Sequence, residues 1–121
     1  MHIETTQKNG TKIAVIKSDT PLITDVQSAL DLMMTVKYET GCSNIVISKE
    51  AITEDFFNLR TRLAGEILQK FINYDVRLAI YGDFSIYTSK ALKDFIYESN
   101  HGKNIYFQPD VALAIDKLSG C

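Results

Sequence analysis

The stretch Gly82-Asp83-Phe84-Ser85 is the segment of this chain best equipped for chemistry. An aspartate two residues from a serine offers a general base beside a hydroxyl. A glycine ahead of them lets backbone come close to a ligand, or simply allows a tight turn. Asp and Ser are also ordinary turn residues after a strand, which is the plainer reading of the same four positions. The cations that a strand-and-helix arrangement would bring near this stretch are Lys49, Arg60 and Lys90, with Ser48, Ser89 and Gln108 as polar neighbours. Lys49, Arg60, Asp83, Ser85 and Lys90 are therefore the candidate ligand-binding residues, and no catalytic residue is assigned. Asp83 with Asp55 or Glu50 would make a carboxylate pair if the fold brought them together.

Other chemistries lack their residues. There are two cysteines, Cys42 and Cys121, and two histidines, His2 and His101. That set is neither a disulfide framework nor a zinc pattern, and a cysteine nucleophile would need a base at hand. Cys42 reads as a free thiol beside a turn. His101, next to Gly102 at a helix end, reads as a cap whose charged form suits the helix dipole. His2 has no catalytic company. Gly-x-Gly-x-x-Gly, Walker and Ser-His-Asp patterns are all missing. No metal or cofactor is expected.

The net charge of −2 comes from basic residues scattered among acids. Nucleic-acid binders concentrate their cations in a stripe, so no nucleic-acid partner is expected. The first ten residues have neither the basic nor the apolar region of a signal peptide, and no apolar run is long enough to span a bilayer. The expectation is a cytoplasmic protein with no membrane contact.

The elements that must position these residues follow from spacing. At 121 residues and 45% hydrophobic, the chain has material for one core and one domain, residues 1–121. His2–Gln7 and Lys12–Lys17 read as strands joined at Asn9-Gly10, the strongest short hairpin signal. Thr24 or Asp25 caps a helix to about Lys37, with Val26, Ala29, Leu30, Met33 and Met34 inward. Asn44–Ser48 is a buried strand, and Lys49–Glu54 a polar connection. Phe56, Leu59, Leu63, Ile67 and Phe71 recur at three or four residues, which predicts one long helix over Asp55–Asn73. Gly65 within it, costly in a helix, suggests close packing or admission of a partner helix. Val76–Tyr81 is the fourth strand. Thr88 or Ser89 caps a helix over Lys90–Ser99, stopped by Asn100-His101-Gly102. Asn104–Phe107 is the fifth strand, and Pro109 opens a last helix over Asp110–Lys117. The order ββαβαβαβα implies an α/β domain with a mixed, mostly parallel, five-stranded sheet. In such sheets ligands sit beyond the carboxyl ends of the strands, which is where the candidate residues fall.

Four stretches carry a family resemblance. They are Asp55-Phe56-Phe57-Asn58-Leu59, Ala64 to Phe71, Leu78 to Phe84, and Ser89 to Asn100. Together, over nearly the whole chain, they resemble the small bacterial proteins catalogued as domain of unknown function 4180. The resemblance implies a bacterial source and brings no activity. Its pattern often has glycine where this chain has Arg62. A looser, fold-level resemblance is to STAS domains, the fold of anti-sigma-factor antagonists, on element order alone. That resemblance implies a phosphorylatable Ser or Thr at the start of the second helix, where Thr53 stands. Glu50, Glu54 and Asp55 already place negative charge there and would repel a phosphate, so Thr53 also reads as a plain cap.

The leading expectation is a non-enzymatic binding or regulatory module of STAS-like fold, acting on a protein partner, a small ligand or as a homodimer. The alternative is a small enzyme or ligand sensor built around Asp83, Ser85, Lys49 and Arg60.

Overall fold

Asn9 and Gly10 both lie at positive φ, 53° and 80°, the geometry of a type I′ turn that matches the twist of the flanking strands. This turn joins β1 (His2–Lys8) to β2 (Thr11–Lys17) in full antiparallel register, from His2 opposite Lys17 to Lys8 opposite Thr11. The computed structural model describes residues 2–120. After the hairpin come α1 (Val26–Thr40), β3 (Asn44–Ser48), α2 (Leu63–Asn73), β4 (Arg77–Tyr81), α3 (Lys90–Asn100), β5 (Ile105–Gln108) and α4 (Val111–Leu118). The sheet runs β1-β2-β3-β4-β5, with every pair after the first parallel.

Sequential strand order with right-handed crossovers must put the three connecting helices on one face. The core follows that rule. Ala14, Ile16, Ile45, Ile47, Leu78, Ile80, Ile105 and Phe107 point into a cluster with the inward residues of α1, α2 and α3. The alternate residues Ile13, Val15, Val46, Ala79 and Tyr106 face the other way and meet Ala114 and Leu118 of α4. Arg77 fixes that last helix. Its Nη1 donates to Leu118 O (3.0 Å), Nη2 to Lys117 O (3.5 Å) and Tyr106 Oη (3.3 Å), and Nε to Lys103 O (3.0 Å). A cation thus satisfies carbonyls that the helix end leaves without partners.

Local chemistry sets the helix starts. Asp25 accepts from Ser28 N while the Ser28 hydroxyl reaches back, a capping box; Ser89 accepts from Leu92 N, and Asp110 from Leu113 N. Pro109 lies before the last cap rather than inside the helix, and α3 ends at His101 with φ −92°. His101 Nδ1 lies 2.8 Å from Tyr97 O, consistent with a cap.

The single long helix expected over Asp55–Asn73 is broken. Glu54–Phe57 and Leu59–Thr61 are short 3-10 turns, and only Leu63–Asn73 is α-helical. Asn58 is extended and its side chain accepts from Arg60 N; the Thr61 hydroxyl donates to Asp55 O and Asn58 O. Arg62 then turns left-handed at φ 63°. Polar side chains here offer the backbone partners that compete with the helical ladder. Three smaller expectations also change. Lys49–Glu54 is no plain polar connection: Ala51 and Ile52 are buried, and Ile23 bridges Ile52. Gly65 packs against nothing within 4 Å of where a Cβ would lie. Met33 is core, but Met34 is 49% exposed.

Candidate functional site

Lys49 follows directly on β3, at the carboxyl edge of the sheet, yet it is only 8% exposed. Gly82, at the end of the neighbouring β4, is what makes room for it. A Cβ on Gly82 would stand 2.7 Å from Lys49 Cβ, closer than real Cβ atoms approach, and the glycine φ of 156° is one that side chains rarely adopt. The lysine stem passes this gap. Its ammonium ends 5.6 Å from the Phe57 ring centre and 5.1 Å from that of Tyr87. It donates to Glu54 Oε1 at 3.1 Å. The Tyr87 hydroxyl donates to both Glu54 oxygens, at 3.2 and 3.0 Å, and the two rings stack 5.2 Å apart.

A buried ammonium persists only when paired. Burial by itself would pull the Lys49 pKa down; the Tyr87 hydroxyl and Glu54 outweigh it and hold the pKa above the usual lysine value. Burial raises the Tyr87 phenol, with Lys49 opposing and Glu54 assisting. Both groups therefore keep their protons at neutral pH.

Beside this box lies a cleft of about 570 Å³ between residues 54–60 and 86–92. Phe57, Leu59, Ile86 and Leu92 supply apolar lining; Glu54, Tyr87, Thr88 and Ser89 supply polar lining; Arg60 is its one cation. Arg60 is exposed and has no ion pair among the described residues. Ser89 and Ala91 bring the first turn of α3 to the cleft, where backbone N–H groups lack helical partners.

A second hollow of about 400 Å³ is formed by residues 82–85 and 107–109. Asp83 and Ser85 line it, but they satisfy each other. Ser85 N donates to Asp83 Oδ1 at 2.9 Å, and the Ser85 hydroxyl bonds the same oxygen. Those two bonds hold the Asp83 carboxyl below the usual range, against a small desolvation effect and with minor help from Lys49. A carboxylate so held is a weak base, and the arrangement is an Asx turn.

The sequence candidates thus separate. Arg60 lines the first cleft, Asp83 and Ser85 the second hollow, and Lys49 lines neither but bonds Glu54 in the wall of the first. Lys90 lines neither; it is exposed and paired with Asp94 at 2.7 Å. Thr53 precedes a four-residue 3-10 turn, its side chain makes no capping bond, and its N–H donates to Ile23 O at 2.9 Å. Thr53 thus holds the cap position expected of it, without a side-chain capping bond. Among the described residues no group of three or more His, Cys, Asp or Glu is placed to hold a metal. No helix among them is long and apolar enough to cross a membrane.

Sequence reading missed Glu54, Phe57 and Tyr87. One signal was available. Phe56 and Phe57 are adjacent, and a single helical stripe buries only one of two neighbours. Both are buried here, so the second needed a partner outside the helix, and it is Tyr87.

The profile of the family described as Domain of unknown function (DUF4180) matches residues 8–118, which include the Lys49 box and both hollows. The chain belongs to this family. Neither the curated proteins nor the solved structures include a match to it. Within the matched region Arg62 is left-handed at φ 63°, a conformation that glycine adopts without the strain a side chain brings. The family's description assigns no activity, so any role for this DUF4180 protein rests on its geometry.

Proposed function

We propose that this DUF4180 protein is a non-enzymatic binding module that takes a small anionic ligand in the cleft bearing Arg60. The observation that carries the reading is the pairing of a preorganised wall with an uncompensated cation. Lys49, Glu54 and Tyr87 neutralise one another, whereas Arg60 and the first turn of α3 offer unmatched positive charge on the same cleft. The volume is that of metabolite sites. A carboxylate or phosphate would meet Arg60 and the helix end, with an apolar body against Leu59, Ile86 and Tyr87.

Binding is favoured over acid–base catalysis because the shifted groups at this edge move away from neutrality. Lys49 and Tyr87 are raised, Asp83 is lowered, and Tyr81 is raised, chiefly by burial. Catalytic groups are tuned the opposite way. The same proposal includes a STAS-like regulatory role, supported by the element order, and a bacterial cytoplasmic setting, where the buried free thiol of Cys42 stays reduced.

The test is calorimetry against a panel of carboxylated and phosphorylated metabolites. Arg60→Ala is expected to weaken binding at least about tenfold, the loss of one charge-assisted bidentate contact. Asp83→Ala should leave binding unchanged. Failure of every anion to bind, or equal binding by Arg60→Ala, would overturn the reading.

A further inference from the structure

The far edge of the sheet, away from both hollows, is β1. All its residues except Ile3 are exposed, and one of its two edges is taken by β2. An open strand edge is a template for pairing unless it is short, bulged, interrupted by proline, covered or charged, and the charges of β1, Glu4 and Lys8, are of opposite sign. β1 has seven residues in unbroken register and no proline.

The turn dictates what that edge presents. In a two-residue type I′ hairpin the closing pair, Lys8 and Thr11, is hydrogen-bonded. Antiparallel pairs alternate, so Glu4, Thr6 and Lys8 direct their backbone groups at β2, and Ile3, Thr5 and Gln7 direct theirs outward. A symmetric antiparallel partner must bond through those three. Few registers remain. Glu4 opposite Glu4 sets like charges together on the axis. Thr5 opposite Thr5 sets His2 against Lys8 and leaves Glu4 facing Thr6. Gln7 opposite Gln7 shortens the ladder and runs it into the turn. Thr6 opposite Thr6 sets Glu4 against Lys8 on both sides of the axis and lets Thr5 and Gln7 exchange backbone bonds twice.

We propose that two copies of this chain associate along β1, antiparallel, with Thr6 on the two-fold axis and reciprocal Glu4–Lys8 pairs. The partner is a second copy because the charge pattern of β1 is complementary to itself in that register. Lys8 already meets Asp116 of its own α4, and Glu4 meets His2 at 3.1 Å. The new pairs therefore join the Lys8–Asp116 ion pair and the Glu4–His2 contact into one line across the interface. The sheet becomes ten-stranded, and the Arg60 cleft stays open at either end. Edge pairing alone buries little surface, which places the dimer in the weak, reversible class.

Sedimentation equilibrium of the full chain, from micromolar to near-millimolar concentration, should show a monomer–dimer equilibrium. Glu4→Lys and Lys8→Glu should each weaken it at least about tenfold, by setting like charges opposite one another. The double variant Glu4→Lys/Lys8→Glu should restore it. Circular dichroism checks that each variant keeps its fold. A second measurement does not depend on the charged residues. Non-hydrogen-bonded antiparallel pairs bring Cα atoms to about 4.5 Å, within disulfide reach. Thr6→Cys, in a Cys121→Ser background, should oxidise to a covalent dimer faster than Thr20→Cys. A chain that stays monomeric throughout, a double variant that is not restored, or Thr6→Cys that links no faster than Thr20→Cys, would each overturn the proposal.

Discussion

Two hollows lie at one edge of one sheet, and they differ in what their polar groups do. In the hollow of Asp83 and Ser85 the carboxylate is consumed by its own turn, accepting from the backbone N–H and the hydroxyl of Ser85 two positions away. In the cleft of Arg60 the polar wall comes from separated segments, Glu54 and Tyr87 with Lys49 bonded to Glu54 beside them, and the remaining cation is unmatched. The difference teaches that polar residues close in sequence satisfy each other locally, whereas Arg60 faces a wall whose own polar groups are already paired and keeps its charge for a ligand.

The strongest way to break the distinction is Gly82→Ala, since Gly82 lines one hollow and makes room for Lys49, whose ammonium holds Glu54 in the wall of the other. The added Cβ meets Lys49 Cβ at 2.7 Å. A loss of about 1–3 kcal/mol in urea unfolding is expected, the ordinary cost of overpacking. Anion binding at the Arg60 cleft should fall with it, because the lysine must shift.

Titration separates the hollows more finely. Lys49 and Tyr87 have folded pKa values above their unfolded ones. Their contribution is full below the unfolded values, near 10, and is lost as pH rises through the folded ones. Asp83 is lowered, so its contribution is present above its unfolded value near 3.8 and is lost as pH falls. Tyr87→Phe should therefore flatten the alkaline limb of stability against pH, since it removes one raised group and the largest effect that raises the other, and leave the acid limb intact. Asp83→Asn should do the reverse, and by less, because its carboxyl is exposed. Unfolding followed at a series of pH values reads both.

The smallest effects test the break that opens the Arg60 cleft. Arg62→Gly relieves a left-handed residue and should stabilise by about 1 kcal/mol. Gly65→Ala, with open space around the new methyl, should stabilise by a similar amount. Both appear as a higher Tm, and neither should alter anion binding.

What could be read from residues alone was whatever depended on near neighbours. Asn9-Gly10 specified the hairpin, β-branched Asn44–Ser48 the third strand, and Asp25 and Ser89 the helix starts. The broken second helix was hidden because its apolar spacing is correct. Phe56, Ala64, Ile67 and Phe71 are all buried, and only the side-chain bonds of Asn58 and Thr61 divert the backbone between them. Lys49 was found as a cation at the right edge, but its enclosure was not. Enclosure depends on a missing side chain at residue 82 and on rings at 57 and 87, which no spacing rule connects.

The Arg77 clamp has a consequence for how the molecule is made. Ile13, Val15, Val46, Ala79 and Tyr106 have α4 as their cover, so during synthesis that apolar face waits for the last helix. Arg77 emerges 41 residues ahead of the Leu118 carbonyl it holds. Over that interval the sheet grows from three strands to five with one apolar side bare until α4 follows, and a ribosome stalled there would display a surface for chaperones.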